Sequence, residues 1–392
     1  MKTFMFPGQG SQSRGMGGEL FDEFDELTKK ADKILGYSIK ELCLEDPRRE
    51  LNKTQFTQPA LYVVNAFSYY KKIKEMGEKP DFVIGHSLGE FNALLAADCF
   101  DFEAGLKLIK KRGELMSQVK DGAMAAILNA TKDEIENILA ENKLTNIDLA
   151  NYNTPSQIVI SGLLEEVGRA EPFFQQGKIL YYPLNTSGAF HSKFMEPSKE
   201  KFQKYLKRFK LSKLNIPVIA NVTAEPYQDN KILDTLASQI SSTVKWSESV
   251  QYLMELDNES EMEFIELGHG DVLTKLIDTI KRETAKESEA DESVKVTESK
   301  PQTTNTSSAE SATDKKDTAN STDSSNQVQN KIQELVDAWN LKHPIGTKVK
   351  STIMDYDDLE TRTEAVVLFG HRAAVYMKNY NGYFDLKEIA AL

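Results

Sequence analysis

The run FVIGHSLGE at 82–90 constrains the fold more than any other stretch of this chain. Pro80-Asp81 marks a loop, and Phe82, Val83 and Ile84 make a brief buried strand. Phe91, Leu94 and Leu95 then fall at i, i+3 and i+4, the apolar spacing of a helix. A strand that becomes a helix across Gly-His-Ser-Leu-Gly is the arrangement of a nucleophile elbow, whose tight turn presents the Ser87 hydroxyl at a helix N-terminus. A side chain at Gly85 or Gly89 would collide across such a turn. The pentapeptide alone recurs by chance; the strand and helix around it give it meaning.

Neighbouring elements continue the pattern. TFMF at 3–6 reads as a short strand followed by a Gly-rich loop, PGQGSQSRGMG. Helical patterns run through 20–35, 57–76 and 103–118. Short apolar strands alternating with helices predict an α/β fold with a mainly parallel, hydrolase-like sheet. The ligand site of such a sheet lies beyond the carboxyl ends of its strands, where Gly8-Gln9-Gly10 and Ser87 both fall.

Residues 123–184 read differently. Strands at 123–128, 147–152, 157–162 and 179–184 surround helices at 132–141 and 164–176, the first opened by Thr131 with Glu134 completing a capping box. The order β-α-β-β-α-β predicts a ferredoxin-like domain inserted into a large domain made of 1–122 and 185–283, with the active site in the cleft between them.

At 392 residues and 40% hydrophobic the chain has room for two or three domains. Its net charge of -12 argues against nucleic acid as main partner. Cys43 and Cys99 form no metal pattern and suit a reducing cytoplasm. Neither a signal-peptide core nor a membrane-length apolar run is present in the sequence, so a cytoplasmic location is expected. From Thr284 to Asn330 the only aliphatic or aromatic side chains larger than Ala are Val294, Val296 and Val328, which predicts a disordered linker. The tail, 331–392, combines a short helix carrying Ile332, Leu335, Val336 and Trp339 with four strand-like runs. Turns fall at Asp357-Asp358, Phe369-Gly370-His371 and Asn381-Gly382, and the expectation is a small SH3-like β-barrel that acts as a binding module.

Further motifs line up in order: FPGQGSQ (6–12), TQPALY (57–62), GHSLGE (85–90), Arg112 in KKRGELM 25 residues after Ser87, GAFHS (188–192) and VKWSESV (244–250). Together they resemble the malonyl-CoA:acyl-carrier-protein transacylase family over residues 1 to about 283. The resemblance implies a ping-pong transfer of malonyl from malonyl-CoA, through an acyl-Ser87, to the phosphopantetheine thiol of an acyl carrier protein, with no bound cofactor and no metal. It makes His191 the base and acid. It forms the oxyanion hole from the backbone N–H groups of Gln9 and Leu88. It puts the forked guanidinium of Arg112 on the substrate carboxylate. Phe190, before His191, resembles the signature of malonyl-selective members. Asn153 and Gln157 resemble pantetheine-contacting positions and are equally good turn residues. Lys245 stands where many relatives have Gln and where the family uses a backbone carbonyl to orient the His. The GHG at 268–270 departs from the usual Gly-Pro-Gly, and His269 reads as a helix-entry residue.

The stretch 198–213 is the most basic in the chain. Lys204, Lys207 and Arg208 form either a docking surface for an acidic carrier protein or a solvated face over a core stripe. Stand-alone transacylases of fatty acid synthesis end near the 271–277 helix, so the added tail leans the reading toward an enzyme serving polyketide synthase modules in trans. Three alternatives stand beside it. An editing acyl hydrolase of the same family is opposed by Arg112. An α/β-hydrolase esterase leaves PGQG and Arg112 unexplained. A non-catalytic carrier-protein scaffold would not need both Ser87 and His191.

Overall fold

Four short parallel strands bring the Gly-rich loop and the elbow to one edge. The computed structural model describes residues 1–186, 188–256, 262–298, 323–352, 359–368, 372–378 and 383–392. It divides into two units, Met1–Arg282 and Glu283–Leu392. Among the described residues the first contains β1 (Lys2–Phe6), β2 (Phe82–Gly85), β3 (Gly122–Leu128), β4 (Ile147–Thr154), β5 (Gln157–Leu163), β6 (Leu180–Pro183), β7 (Val218–Ile219) and β8 (Glu263–Glu266). One sheet has the order β7-β2-β1-β8, with all pairs parallel. This is the α/β parallel sheet that the alternating elements predict. Parallel strands are covered on both faces, so β1 and β2 are apolar runs buried nearly throughout.

The register pairs Phe6 with Gly85, so the 7–18 loop and the elbow leave the sheet side by side. Two glycines allow it. A Cβ on Gly85 would lie 1.9 Å from the Gly89 carbonyl carbon, and one on Gly89 would lie 1.9 Å from the Phe6 oxygen. The elbow helix, Gly89–Ala96, is buried along its whole length. Its two polar side chains therefore need partners. Asn92 donates to the Tyr62 carbonyl at 2.9 Å and accepts from Asn65 at 3.2 Å, while Glu90 reaches into the site described below.

The second sheet has the order β4-β5-β3-β6, antiparallel throughout. Helices Lys132–Glu141 and Leu164–Phe174 pack on it around Ile135, Leu139, Val167, Ala170 and Phe174. Thr131 and Glu134 form the expected capping box. The edge strand β4 is tied to the chain at 243–244: Tyr152 N donates to the Val244 carbonyl at 2.9 Å, and Val244 N to Ala150 at 2.8 Å.

In the second unit, β9 (Lys348–Ser351), β10 (Leu359–Glu360), β11 (Val366–Leu368), β12 (Arg372–Tyr376), β13 (Tyr383–Asp385) and β14 (Ile389–Ala391) form two three-stranded sheets, β10-β9-β14 and β11-β12-β13. Val336 of helix Asp323–Lys342 belongs to their common core with Val349, Leu359, Val375 and Met377. The turns expected at 357–358, 369–371 and 381–382 lie outside the described residues.

Helix Val272–Glu298 continues from a turn that buries Leu273, Ile277 and Ile280 into the segment 284–330, a second helix begins at Asp323, and residues 299–322 between them lie outside the described residues. Apolar patterning reports packing and is silent here. Ala, Glu and Lys nevertheless propagate a helix once a packed segment has nucleated it.

Candidate active site

Ser87 and His191 meet although 104 residues separate them: Ser87 Oγ lies 2.7 Å from His191 Nε2. Both residues hold the left-handed backbone conformation that side chains rarely adopt, with φ of 51° and 57°. Asn221 fixes the elbow, since its Oδ1 accepts from Ser87 N at 2.8 Å and its Nδ2 donates to the Gly85 carbonyl at 2.7 Å. His191 Nδ1 faces two backbone carbonyls, Gln239 at 2.9 Å and Ser242 at 3.1 Å. Two acceptors there require the proton on Nδ1. That leaves the Nε2 lone pair facing the serine, the tautomer a general base needs.

Arg112 comes from helix Phe102–Met116 and is 1% exposed. Its Nη2 donates to Ser87 Oγ at 3.1 Å and to Gln239 Oε1 at 2.9 Å, and its carbon Cζ stands 5.7 Å from the Phe91 ring centroid. Its Nε is buried without a hydrogen-bond partner. Gln239 Nε2 in turn donates to the Ser87 carbonyl at 2.5 Å and to Glu90 Oε2 at 2.7 Å. Glu90 Oε1 accepts from Asn221 N at 3.0 Å and from the Tyr227 hydroxyl at 2.7 Å. An imidazole, a hydroxyl and a buried guanidinium thus share one hydrogen-bonded network.

A profile described as "Acyl transferase domain" matches residues 3–323. The chain belongs to this acyl transferase family. Among curated relatives, the polyketide biosynthesis malonyl CoA-acyl carrier protein transacylase PksC of Bacillus subtilis (strain 168) is 55% identical over 285 residues, covering 72% of this chain and 98% of PksC. The polyketide biosynthesis protein PksE of the same organism is 53% identical over 285 residues, and there the match spans 37% of the longer protein. Among solved structures, the malonyl CoA-acyl carrier protein transacylase of Burkholderia pseudomallei is 60% identical with a TM-score of 0.71, covering 72% of this chain and 98% of that one. A type II PKS acyl-carrier protein in complex with its malonyl-transacylase is 32% identical with a TM-score of 0.67, covering 71% of this chain and 92% of that one.

Burial shapes the electrostatics of the acyl transferase site. Desolvation, helped by the Arg112 charge, pulls the His191 pKa down to about 3 and keeps the ring neutral. Desolvation pushes Glu90 up to about 7 against the pull of its three donors and of Arg112. It lowers Arg112 to about 10, opposed by Glu90. The stability consequences have opposite signs. Between pH 6.5 and about 3 the unfolded chain holds a proton on His191 that the folded chain lacks, so His191 makes stability fall as pH falls. Between pH 4.5 and about 7 the folded chain holds the extra proton on Glu90, so stability rises as pH falls. A His191→Gln variant removes only the first contribution. Its unfolding free energy relative to wild type should rise by about 2 kcal/mol on going from pH 6.5 to pH 5, at roughly 1.4 kcal/mol per pH unit. Urea titrations at the two pH values measure this, and a constant difference would refute it.

Gln9 and Leu88 sit on the two loops that leave β1 and β2, and neither backbone N–H has a protein acceptor among the described residues. Phe190 is buried beside His191, its ring against Gly188. Asn153 Oδ1 faces His86 Nε2 at 2.9 Å, which places it under the elbow, whereas Gln157 begins β5 and makes no side-chain hydrogen bond among the described residues. Lys204, Lys207 and Arg208 are exposed and have no ion-pair partner among the described residues, Arg208 lying over the Tyr205 ring. Lys245 is corrected: its carbonyl accepts from Ser249 N at 3.1 Å and Ser249 Oγ at 2.7 Å at the start of helix Trp246–Leu256. That use turns it away from His191, and the orienting carbonyls are those of Gln239 and Ser242. His269 is bonded to Ser13 Oγ at 2.6 Å on the Gly-rich loop.

Gln239, Asn221 and Tyr227 escaped the sequence reading. No local pattern marks them, because each acts through a partner more than 120 residues away. Glu90 carried a signal, an acidic residue at the second position of a buried helix whose only other polar side chain is Asn92. Beside His191 opens a cleft of about 710 Å³, lined also by Tyr152, Lys193, Glu196 and Ser242. Among the described residues no group of three His, Cys, Asp or Glu side chains could hold a metal, and no helix is long and apolar enough to cross a membrane.

Proposed function

We propose that this acyl transferase moves malonyl from malonyl-CoA to the phosphopantetheine thiol of an acyl carrier protein, in trans, for polyketide synthesis. The observation that carries the reading is Arg112 at the nucleophile: a buried guanidinium 3.1 Å from Ser87 Oγ, with Nε unpartnered. A buried cation needs an anionic partner, and a malonyl carboxylate supplies one beside the acyl carbon that Ser87 attacks. His191 Nε2 takes the Ser87 proton as the Oγ–C bond forms. The tetrahedral oxyanion sits against the N–H groups of Gln9 and Leu88. As the C–S bond breaks, His191 returns the proton to the CoA sulfur, and the carrier thiol reverses the sequence. No cofactor is assigned. PksC, named for this reaction in polyketide biosynthesis, supports the pathway class.

The test is intact-mass spectrometry. Brief exposure to malonyl-CoA should add one malonyl group, which moves to added carrier protein. An adduct lost to water instead would favour the editing hydrolase. We place carrier docking at Lys204, Lys207 and Arg208, a reading supported by their unpaired exposure and by the solved complex of a related transacylase with its carrier. Reversing the charge of Lys204 and Lys207 should raise the KM for carrier about fivefold or more at low salt while leaving loading from malonyl-CoA unchanged. An unchanged KM rejects docking there.

For the architecture we infer a large α/β domain of 1–122 and 185–283, a ferredoxin-like insert of 123–184, and an SH3-like module of 331–392. The antiparallel order β4-β5-β3-β6 and the separate core of the second unit support this. Amide exchange showing 123–184 and its flanking segments opening as one cooperative body would argue against the division. The two cysteines, free and buried, fit a cytoplasmic location.

A further inference from the structure

Glu90 has no part in the acyl transfer just described, yet it is fully buried at the second position of the elbow helix. All three of its hydrogen-bond partners, Asn221 N, Tyr227 Oη and Gln239 Nε2, donate to it. An ionised carboxylate is acceptor-only, so three converging donors suit that form. The consequence falls on Gln239. A side-chain amide can present either end to a neighbour, and only its partners decide which. Here Glu90 Oε2 and the Ser87 carbonyl both demand the NH₂ end, at 2.7 and 2.5 Å. The carbonyl end is thereby turned to Arg112 Nη2 at 2.9 Å. A reversed amide would set an NH₂ against the guanidinium and an oxygen against the carboxylate, and both contacts would repel.

We propose that Glu90 and Gln239 form a positioning relay that fixes the Arg112 guanidinium beside Ser87 and so sets the preference for acyl groups bearing a free carboxylate. This rests on the assignment of Arg112 to the substrate carboxylate. The relay acts on Arg112 and not on the reacting bonds, so its removal weakens recognition of the carboxylate more than it weakens transfer of an acyl group that has none. Above its pKa of about 7 Glu90 also bears a negative charge near the guanidinium, and that charge alone would oppose a substrate carboxylate. The relay and the simple charge effect therefore predict opposite signs for one substitution.

The test compares loading of Ser87 from malonyl-CoA and from acetyl-CoA by quenched intact-mass kinetics, in the wild-type chain and in Glu90→Gln and Gln239→Met. Glutamine at 90 can offer an NH₂ in place of an acceptor, so the Ser87 carbonyl alone still calls for the NH₂ end of Gln239. Methionine at 239 removes the amide, keeps the Glu90 charge, and keeps the backbone carbonyl that orients His191. The malonyl-to-acetyl ratio of kcat/KM is expected to fall at least tenfold in both variants, chiefly through a higher KM for malonyl-CoA. A ratio that rises in Glu90→Gln would mean that the charge of Glu90 outweighs its positioning. A ratio unchanged in both variants, or equal losses for the two acyl groups, would make the network merely structural. Any of these overturns the proposal. If Glu90→Gln does not fold, Gln239→Met carries the test by itself. The wild-type arm stands apart: a native chain that loads malonyl no better than acetyl refutes the role of Arg112 before any variant is considered.

Discussion

Replacing Ser87 with Ala should abolish the malonyl adduct on the protein and reduce transfer to carrier by at least about 10⁴-fold. A side chain that is both nucleophile and partner of the base acts as a unit with it, and removing such a nucleophile typically costs as much as removing the whole constellation. The fold should survive. Ser87 keeps its backbone contacts to Asn221 and Gln239, and among the described residues its hydroxyl bonds only His191 and Arg112. Alanine does face the same φ of 51°, a cost of about 1–2 kcal/mol that serine already bears. The measurement is intact mass after malonyl-CoA, with a thermal melt as control. A malonyl adduct persisting on the variant would sink the assignment. It would point to Ser13, whose hydroxyl lies 2.6 Å from His269 Nε2 on the neighbouring loop. Ser13 has no comparable setting, because His269 is not oriented by backbone carbonyls as His191 is.

How much of this was legible beforehand depends on whether a residue acts through its own neighbours in sequence. The elbow was, because a strand, two glycines forced by a 1.9 Å approach and an apolar helix are all local. The elements of 123–184 were legible for a similar reason: a capping box and strands with buried faces repeat over short spans. The pairing of Ser87 with His191 came from ordered motifs and not from periodicity. Lys245 was misassigned because motif alignment marks a neighbourhood, whereas carbonyl direction is decided by which amide claims it, and Ser249 claims that one. Gln239 sits in ASQISS, a run with no chemical signature, and owes its importance to three partners that the fold brings together.

Arg112→Ala should change what the enzyme accepts more than whether it works. Malonyl loading is expected to fall by about 10²–10³-fold in kcat/KM, the scale of losing a charge-assisted, desolvated carboxylate contact of about 3–4 kcal/mol. Acetyl loading should hold or rise, for two reasons that the geometry supplies. Arg112 donates to Ser87 Oγ, and a donor on that oxygen holds back the electron pair that must attack. Its charge is also the second cause, after burial, of the depressed His191 pKa, so its removal makes the base stronger. In the wild-type site a malonyl carboxylate would neutralise that same charge, so the correct substrate restores basicity and acetyl does not. The preference should therefore appear in kcat as well as in KM. Stability bears a cost, because Glu90 loses the nearby cation that favours its ionised form. Parallel melts at pH 6 and pH 8 separate the effects. Destabilisation should be larger at pH 8, above the Glu90 pKa of about 7, where the carboxylate is charged. Equal losses for malonyl and acetyl at both pH values would mean that Arg112 holds the fold and leaves substrate choice to other groups.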